Sequence, residues 1–274
     1  MTWDDHEVEN DYAGERSEEL DPAFPARRAA AYKAFYEHMP MRRSVLLASG
    51  GMRIYGRVDW GSLATFHVLD NRQYRSHQAC PRPGRGGSAM VGAACAERLD
   101  PRLTMLGEEQ ERWLEESLSG SKAAWNFIAQ QTLFAPAARR NKEGAPIHWT
   151  DGWDGYPAAR ARLVAALARR RPASPVFLGG DVHADLADPR SPVIAAEYVA
   201  TSITSQGFAG MIEGIARENP HVRYAEHATR GYGLLELDRR AMQGSHRGVD
   251  VKTRDAAVRT VASATVESGR FGAK

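Results

Sequence analysis

The chain has no run of roughly 18 or more apolar residues, so nothing in it reads as a membrane-spanning helix. It has no basic n-region followed by an apolar h-region, so no secretory signal is read at its start. It has little net charge: 36 basic against 34 acidic side chains leave +2 with the histidines neutral, which argues against a dedicated nucleic-acid surface. It is also poor in cysteine, with only Cys80 and Cys95, at a spacing that fits no zinc site. Both lie in one Gly- and Pro-rich loop. A disulfide between them is preferred to two unrelated thiols; it would stiffen a segment with little core of its own and imply an oxidising compartment. There is no internal repeat, and no Pro/Gly/Ser linker is long enough to separate a pair of domains. Gly84–Ala89 imitates a dinucleotide fingerprint, but it neither follows a strand nor opens a helix, and that reading is rejected.

What remains is a chain of 274 residues, 43% hydrophobic, able to bury a substantial core. The simplest architecture is a single mixed α/β layered domain over residues 1–274. A helix is expected through Pro25–Met39, capped by Asp21 and Pro22, with Tyr32, Phe35, Tyr36 and Met39 on one face. Two strands, Ile54–Trp60 and Leu63–Leu69, turn around Gly61 and Ser62. A helix over Glu108–Leu118 turns Trp113, Leu114 and Leu118 inward. A strand over Trp125–Phe134 follows, then a basic loop, Ala137–Ala145, and an aromatic loop from Pro146 to Tyr156. Pro157 opens a helix over Ala158–Arg171. Val193–Val199 reads as a strand, Thr201–Ser205 as a polar loop and Met211–Glu218 as a helix. Three strands, Gly231–Asp238, Gln243–Val251 and Val258–Val266, end the chain as a meander.

The chemistry gathers around Pro175–His183. Val176, Phe177 and Leu178 form a short buried strand that stops at Gly179 and Gly180, and the chain then presents Asp181 and His183. In open α/β sheets ligands bind at that end of a strand. Two residues apart in extended chain, a carboxylate and an imidazole share one side and suit a divalent or trivalent cation. The bland alternative, a loop aspartate and a packed histidine, wins for an isolated pair. The other end of the chain changes the odds. It opens Thr2, Trp3, Asp4, Asp5, His6, Glu7, in which Asp5 can ligate a metal and His6 can touch phosphate or donate a proton. A frayed acidic tail would have little use for Trp3 and Tyr12. Leu63–Leu69 empties into Asp70–Arg75, a polar cluster whose two arginines, Arg72 and Arg75, make it a candidate anion-contacting loop, since arginine can bind a phosphate through two N–H groups. A solvated strand end is an equal reading there. The loop around His148, Trp149, Asp151, Trp153 and Asp154 either belongs to a site or is an aromatic lid.

Taken in order, Thr2–Glu7 with Asn10 and Tyr12–Gly14, Leu69–Arg75, Trp125 and Asn126 with Ala129–Gln131, Trp153–Tyr156, Gly180–His183, Glu197–Val199 with Thr201–Ser205, Arg230–Tyr232 and Val258–Ser263 resemble the PhoD-type alkaline phosphatases. These belong to the calcineurin-like metallophosphatase superfamily. The resemblance covers nearly the whole chain. It implies a layered sandwich of two mixed β-sheets flanked by helices, and hydrolysis of phosphate mono- or diesters with iron plus calcium. It implies Asp5, Asp181 and His183 as metal ligands and His6 as the phosphate-contacting acid; Arg72 is added from chemistry and position. It also implies export, although the chain carries no address of its own. The family's upstream cysteine and Gly-Asp-x-x-Tyr motif are absent from the sequence. The expectation is therefore a C-terminal portion of the catalytic domain, with an exposed sheet edge and weak or no turnover by itself. The alternative is a non-catalytic remnant that binds an anion or a protein partner.

Overall fold

A computed structural model describes residues 1–48, 51–181, 194–205 and 211–269. Its strands are β1 (Gly56–Trp60), β2 (Ala64–Val68), β3 (Met90–Val91), β4 (Trp125–Ala129), β5 (Arg139–Arg140), β6 (Pro146–Trp149), β7 (Pro175–Gly179), β8 (Ala196–Val199), β9 (Arg230–Leu237), β10 (Ala241–Val249) and β11 (Arg259–Glu267). Its α-helices are α1 (Phe24–His38), α2 (Glu108–Ser119), α3 (Pro157–Arg170) and α4 (Met211–Glu218).

One sheet has the order β1-β2-β4-β7-β8. β1 and β2 are antiparallel, and β2, β4, β7 and β8 run parallel. The order β11-β10-β9 makes a second, antiparallel sheet, and β3-β6-β5 a small third. Alternation along the central strands decides which layer each face meets. Ile128 and Phe177 face α2 and α3 with Leu114, Leu118, Leu163 and Leu167. Phe127 and Val176 face the second sheet with Met242 and Val266. Both faces of β4 and β7 are therefore covered, which is why these strands read as continuous apolar runs. Among the described residues no helix is long and apolar enough to cross a membrane.

Several expectations move. The strand expected to reach Phe134 stops at Ala129, because Gln130 folds its amide onto Thr132, its Oε1 accepting the Thr132 N–H at 3.0 Å. The aromatic loop begins instead as strand β6, paired on both sides by β3 and β5. The carboxylate of Asp21 accepts the Ala23 N–H at 2.8 Å, just outside the first turn of α1, and does not cap the helix itself. Cys80 and Cys95 are disulfide-bonded.

Candidate active site

Because β2, β4 and β7 are parallel, their C-terminal ends open at one sheet edge. Asp70–Arg72 leave β2 there, Gln130–Thr132 leave β4, and Gly180 and Asp181 leave β7. The first residues of the chain lie across the same edge. The Gln131 Nε2 sits 2.8 Å from Thr2 Oγ1, 2.9 Å from the Trp3 carbonyl and 3.0 Å from the Leu69 carbonyl. Trp3 is buried, stacked on Tyr32 of α1 at 4.3 Å between centroids and edge-on to Phe35. This apolar clamp holds Asp4 and Asp5 over the strand ends. Glycine is required where the exits crowd: a Cβ on Gly179 would overlap the Thr132 carbonyl oxygen.

Five carboxylates converge here. Oxygens of Asp4, Asp5 and Asp181 lie within 4.8 Å of one another, as do those of Asp5, Asp11 and Asp151. Two buried guanidinium groups meet them. Arg72 donates from Nε to Asp4 at 2.7 Å and from Nη1 to Asp151 at 3.0 Å; its Nη2 stands 3.8 Å from Asp5 with no hydrogen bond. Arg75 Nη1 lies 3.1 Å from Asp151, and its Nε donates to Tyr156. Burial opposes ionisation of Asp151, but Arg72 and Arg75 outweigh it and hold its carboxyl below the ordinary value. Asp4, Asp11 and Asp181 are less well compensated. Burial, against the pull of Arg72 and with Asp5 adding repulsion, pushes Asp4 up to about 6. Burial and the charge of Asp151 push Asp11 up to about 6. Burial, with Asp4 adding repulsion, raises Asp181 well above the ordinary value.

This arrangement fits cations. The Asp181 Oδ2 is buried without a hydrogen bond, and such an orphan anion is costly unless another positive group meets it. Among the described residues the clustered donors are carboxylate oxygens, which suit hard ions such as calcium. A cavity of about 260 Å³ opens onto the cluster, with Asp5, His6, Asp11 and Asp181 in its wall.

Of the residues singled out in the sequence, Asp5, His6 and Asp181 share this cavity. Asp5 is buried and carries a turn, its oxygens accepting the N–H groups of His6 and Asp11, both at 2.9 Å. His6 is exposed. Asp181 is not extended as expected: its φ is 66°, and the chain turns there. His183 lies outside the described residues. Arg72 is fully buried among carboxylates and does not line the cavity. Asp4, Asp11 and Asp151 were not assigned roles from the sequence, and Arg75 only a share in an anion-contacting loop. Asp151 carried a signal, an aspartate in a loop dense with tryptophan, but nothing in the pattern tied it to arginines more than 70 residues away.

A family model described as PhoD-like phosphatase matches residues 1–246. The chain is 38% identical over 288 residues to a protein named alkaline phosphatase D from Bacillus subtilis (strain 168), covering 99% of this chain and 48% of that one. A solved structure described as "Structure of PhoD" superposes with a TM-score of 0.86 at 36% identity, covering all of this chain and 53% of the other. The chain thus spans about half the length of these relatives.

Proposed function

This chain belongs to the PhoD-like phosphatase family, and on that premise we propose that it hydrolyses phosphate mono- or diesters at the carboxylate cluster under His6. The observation that carries this reading is the Asp181 oxygen, buried without a hydrogen bond among the carboxylates of Asp4 and Asp5. Asp5 and Asp181, with Asp4 beside them and His183 adding an imidazole, would hold the ions, which we assign as iron and calcium. Bound there, such ions supply charge that stabilises a phosphoryl group and make water more acidic.

The chain's own residues do the rest. Arg72 and Arg75 fix Asp151 and Asp4, so the oxygens are preorganised. Arg72 is closed to the cavity, with its Nη2 3.8 Å from Asp5, so its part is to position the carboxylates and not to touch the phosphoryl group. Water attacks phosphorus in line with the leaving oxygen. As that P–O bond breaks, His6, exposed at the cavity mouth, gives its ring proton to the departing oxygen; the attacking water gives up its proton to solvent on the opposite side, and solvent returns one to His6. An exported setting agrees with the Cys80–Cys95 disulfide.

The test is turnover of chromogenic phosphate mono- and diesters with iron and calcium added. His6→Ala should lower kcat by about 10²- to 10⁴-fold, and Asp181→Asn should lose bound metal. Turnover indifferent to His6→Ala, or none with either ester, would overturn the reading and leave binding without turnover.

A further inference from the structure

The cavity has a second end. Leu133, Ala135, Ala137 and Arg139 all line it. They are alternate residues of one segment, which bends at Ala135 and becomes strand β5 at Arg139. The segment starts beside the carboxylates, since the Gln131 carbonyl accepts the Gly180 N–H at 2.8 Å. At about 3.3 Å per residue, Leu133 to Arg139 spans at most about 20 Å. Two alanines therefore open a lane that leads away from the cluster and ends at an arginine.

The segment's backbone is held by polar side chains, of which Asp154, paired with Arg160, also lines the cavity. The Glu197 carboxylate accepts the Phe134 and Ala135 N–H groups at 2.7 and 2.9 Å. Asp154 accepts the Ala137 N–H at 3.0 Å, and Asn219 donates to the Ala138 carbonyl. Arg139 pairs across the small sheet with Ile147. Trp149, two residues on, lies diagonally on the same face and also lines the cavity.

Arg139 differs from the arginines around it. Arg160 on the neighbouring wall is paired with Asp154, and Arg140 donates to the Gly144 carbonyl. Among the described residues Arg139 makes neither an ion pair nor a side-chain hydrogen bond. It is half-buried, and burial alone lowers its pKa, with no carboxylate to offset the cost. A desolvated guanidinium in a lane of alanines, beside an indole, suits an oxyanion on a lean spacer.

We propose that Arg139 is a specificity-determining residue that binds a second anionic group, carboxylate or phosphate, on the portion of the substrate beyond the scissile phosphate. This rests on the phosphoester reading of the same cavity. It makes the preferred substrates esters that are anionic at both ends, with a slim linker between.

Equilibrium binding tests it without turnover. The probes are ω-carboxyalkylphosphonates of increasing length, their uncharged ω-carboxamide counterparts and matched α,ω-bisphosphonates. They are titrated by calorimetry into the full chain with calcium present. At the length that spans the lane, the carboxylate or the second phosphonate should bind at least about 10-fold more tightly than the amide. Arg139→Gln should bring that ratio near one, and Arg139→Lys should keep some of it. Which anion gains more identifies the source. The proposal is overturned if every length binds equally with amide or anion, or if the preference survives Arg139→Gln. If no phosphonate of any kind binds, the phosphoester reading fails, and this proposal with it.

Discussion

Two clusters of Arg–carboxylate pairs look alike in composition and differ in everything else. Between α2 and α3, Arg162 meets Glu111, and Arg169 and Arg170 meet Glu115, on side chains that water reaches. At the strand ends, Arg72 and Arg75 meet Asp151, all three closed to solvent. On the rim, water screens whatever charge the pairs leave over. The buried cluster has five carboxylates for two guanidinium groups, and an Asp181 oxygen without a hydrogen bond. Position therefore decides what the same residue types do. On the rim they join two helices through screened pairs; at the sheet edge they hold an arrangement that proteins otherwise avoid and that a bound cation would complete.

The sharpest way to break the comparison is to remove one buried partner. Asp151→Ala leaves Arg72 and Arg75 without their shared counter-charge and should cost about 3–5 kcal/mol of unfolding free energy. A urea midpoint that moves by less than the equivalent of about 1 kcal/mol would mean that the buried cluster is no different from the rim. Acid gives the next effect. His67 on β2 is buried, with its nitrogens 2.9 Å from the Ser117 hydroxyl and 3.3 Å from Asn126, and burial holds its pKa down at about 4 against 6.5 when free. The unfolded chain then binds the extra proton between those values. Stability should be full above about pH 6.5 and fall by up to about 3 kcal/mol as pH drops through 4. An imidazole resonance of His67 that titrates near 6.5 in the folded protein would contradict this.

Smaller effects test the frame around the cluster. A Cβ on Gly155 would overlap the Thr150 carbonyl, in the turn that delivers Asp151 and Trp153. Gly155→Ala should cost about 1–3 kcal/mol, seen as a lower melting temperature; an unchanged one would show that the turn yields easily. The smallest change belongs to the rim. Glu115→Gln removes the partner of Arg169 and Arg170 and should shift stability by no more than about 1 kcal/mol, less in high salt. A loss as large as that of Asp151→Ala would erase the distinction between the two regions.

Much of the fold was legible because its signals are local. The helix spacing of Tyr32 and Phe35, the apolar runs at Phe127 and Val176–Leu178, and Pro157 at a helix start each carry their meaning within a few residues. Where expectation and structure diverge, a side chain competes with the ladder or a pattern is weak. Gln130 ends β4 early, and Pro146–Trp149 joins a three-stranded sheet with no strong alternation of its own. At the site, motifs pointed to Asp5, His6 and Asp181. Asp4 and Asp11 lie within or beside the same motifs without a legible role, because nothing in a carboxylate's own neighbourhood shows how many others it will meet.

The sequence by itself determined the family, the layered α/β order and the two segments that carry acidic and imidazole groups, since these depend on residue type and short-range spacing. Only the tertiary structure decided that Asp4, Asp5, Asp11, Asp151 and Asp181 crowd into one place, that Arg72 serves carboxylates from a buried position, and that Arg139 ends the cavity unpaired among the described residues. Charge, burial and distance act through space. Parallel strands bring together at one edge residues that the chain keeps far apart.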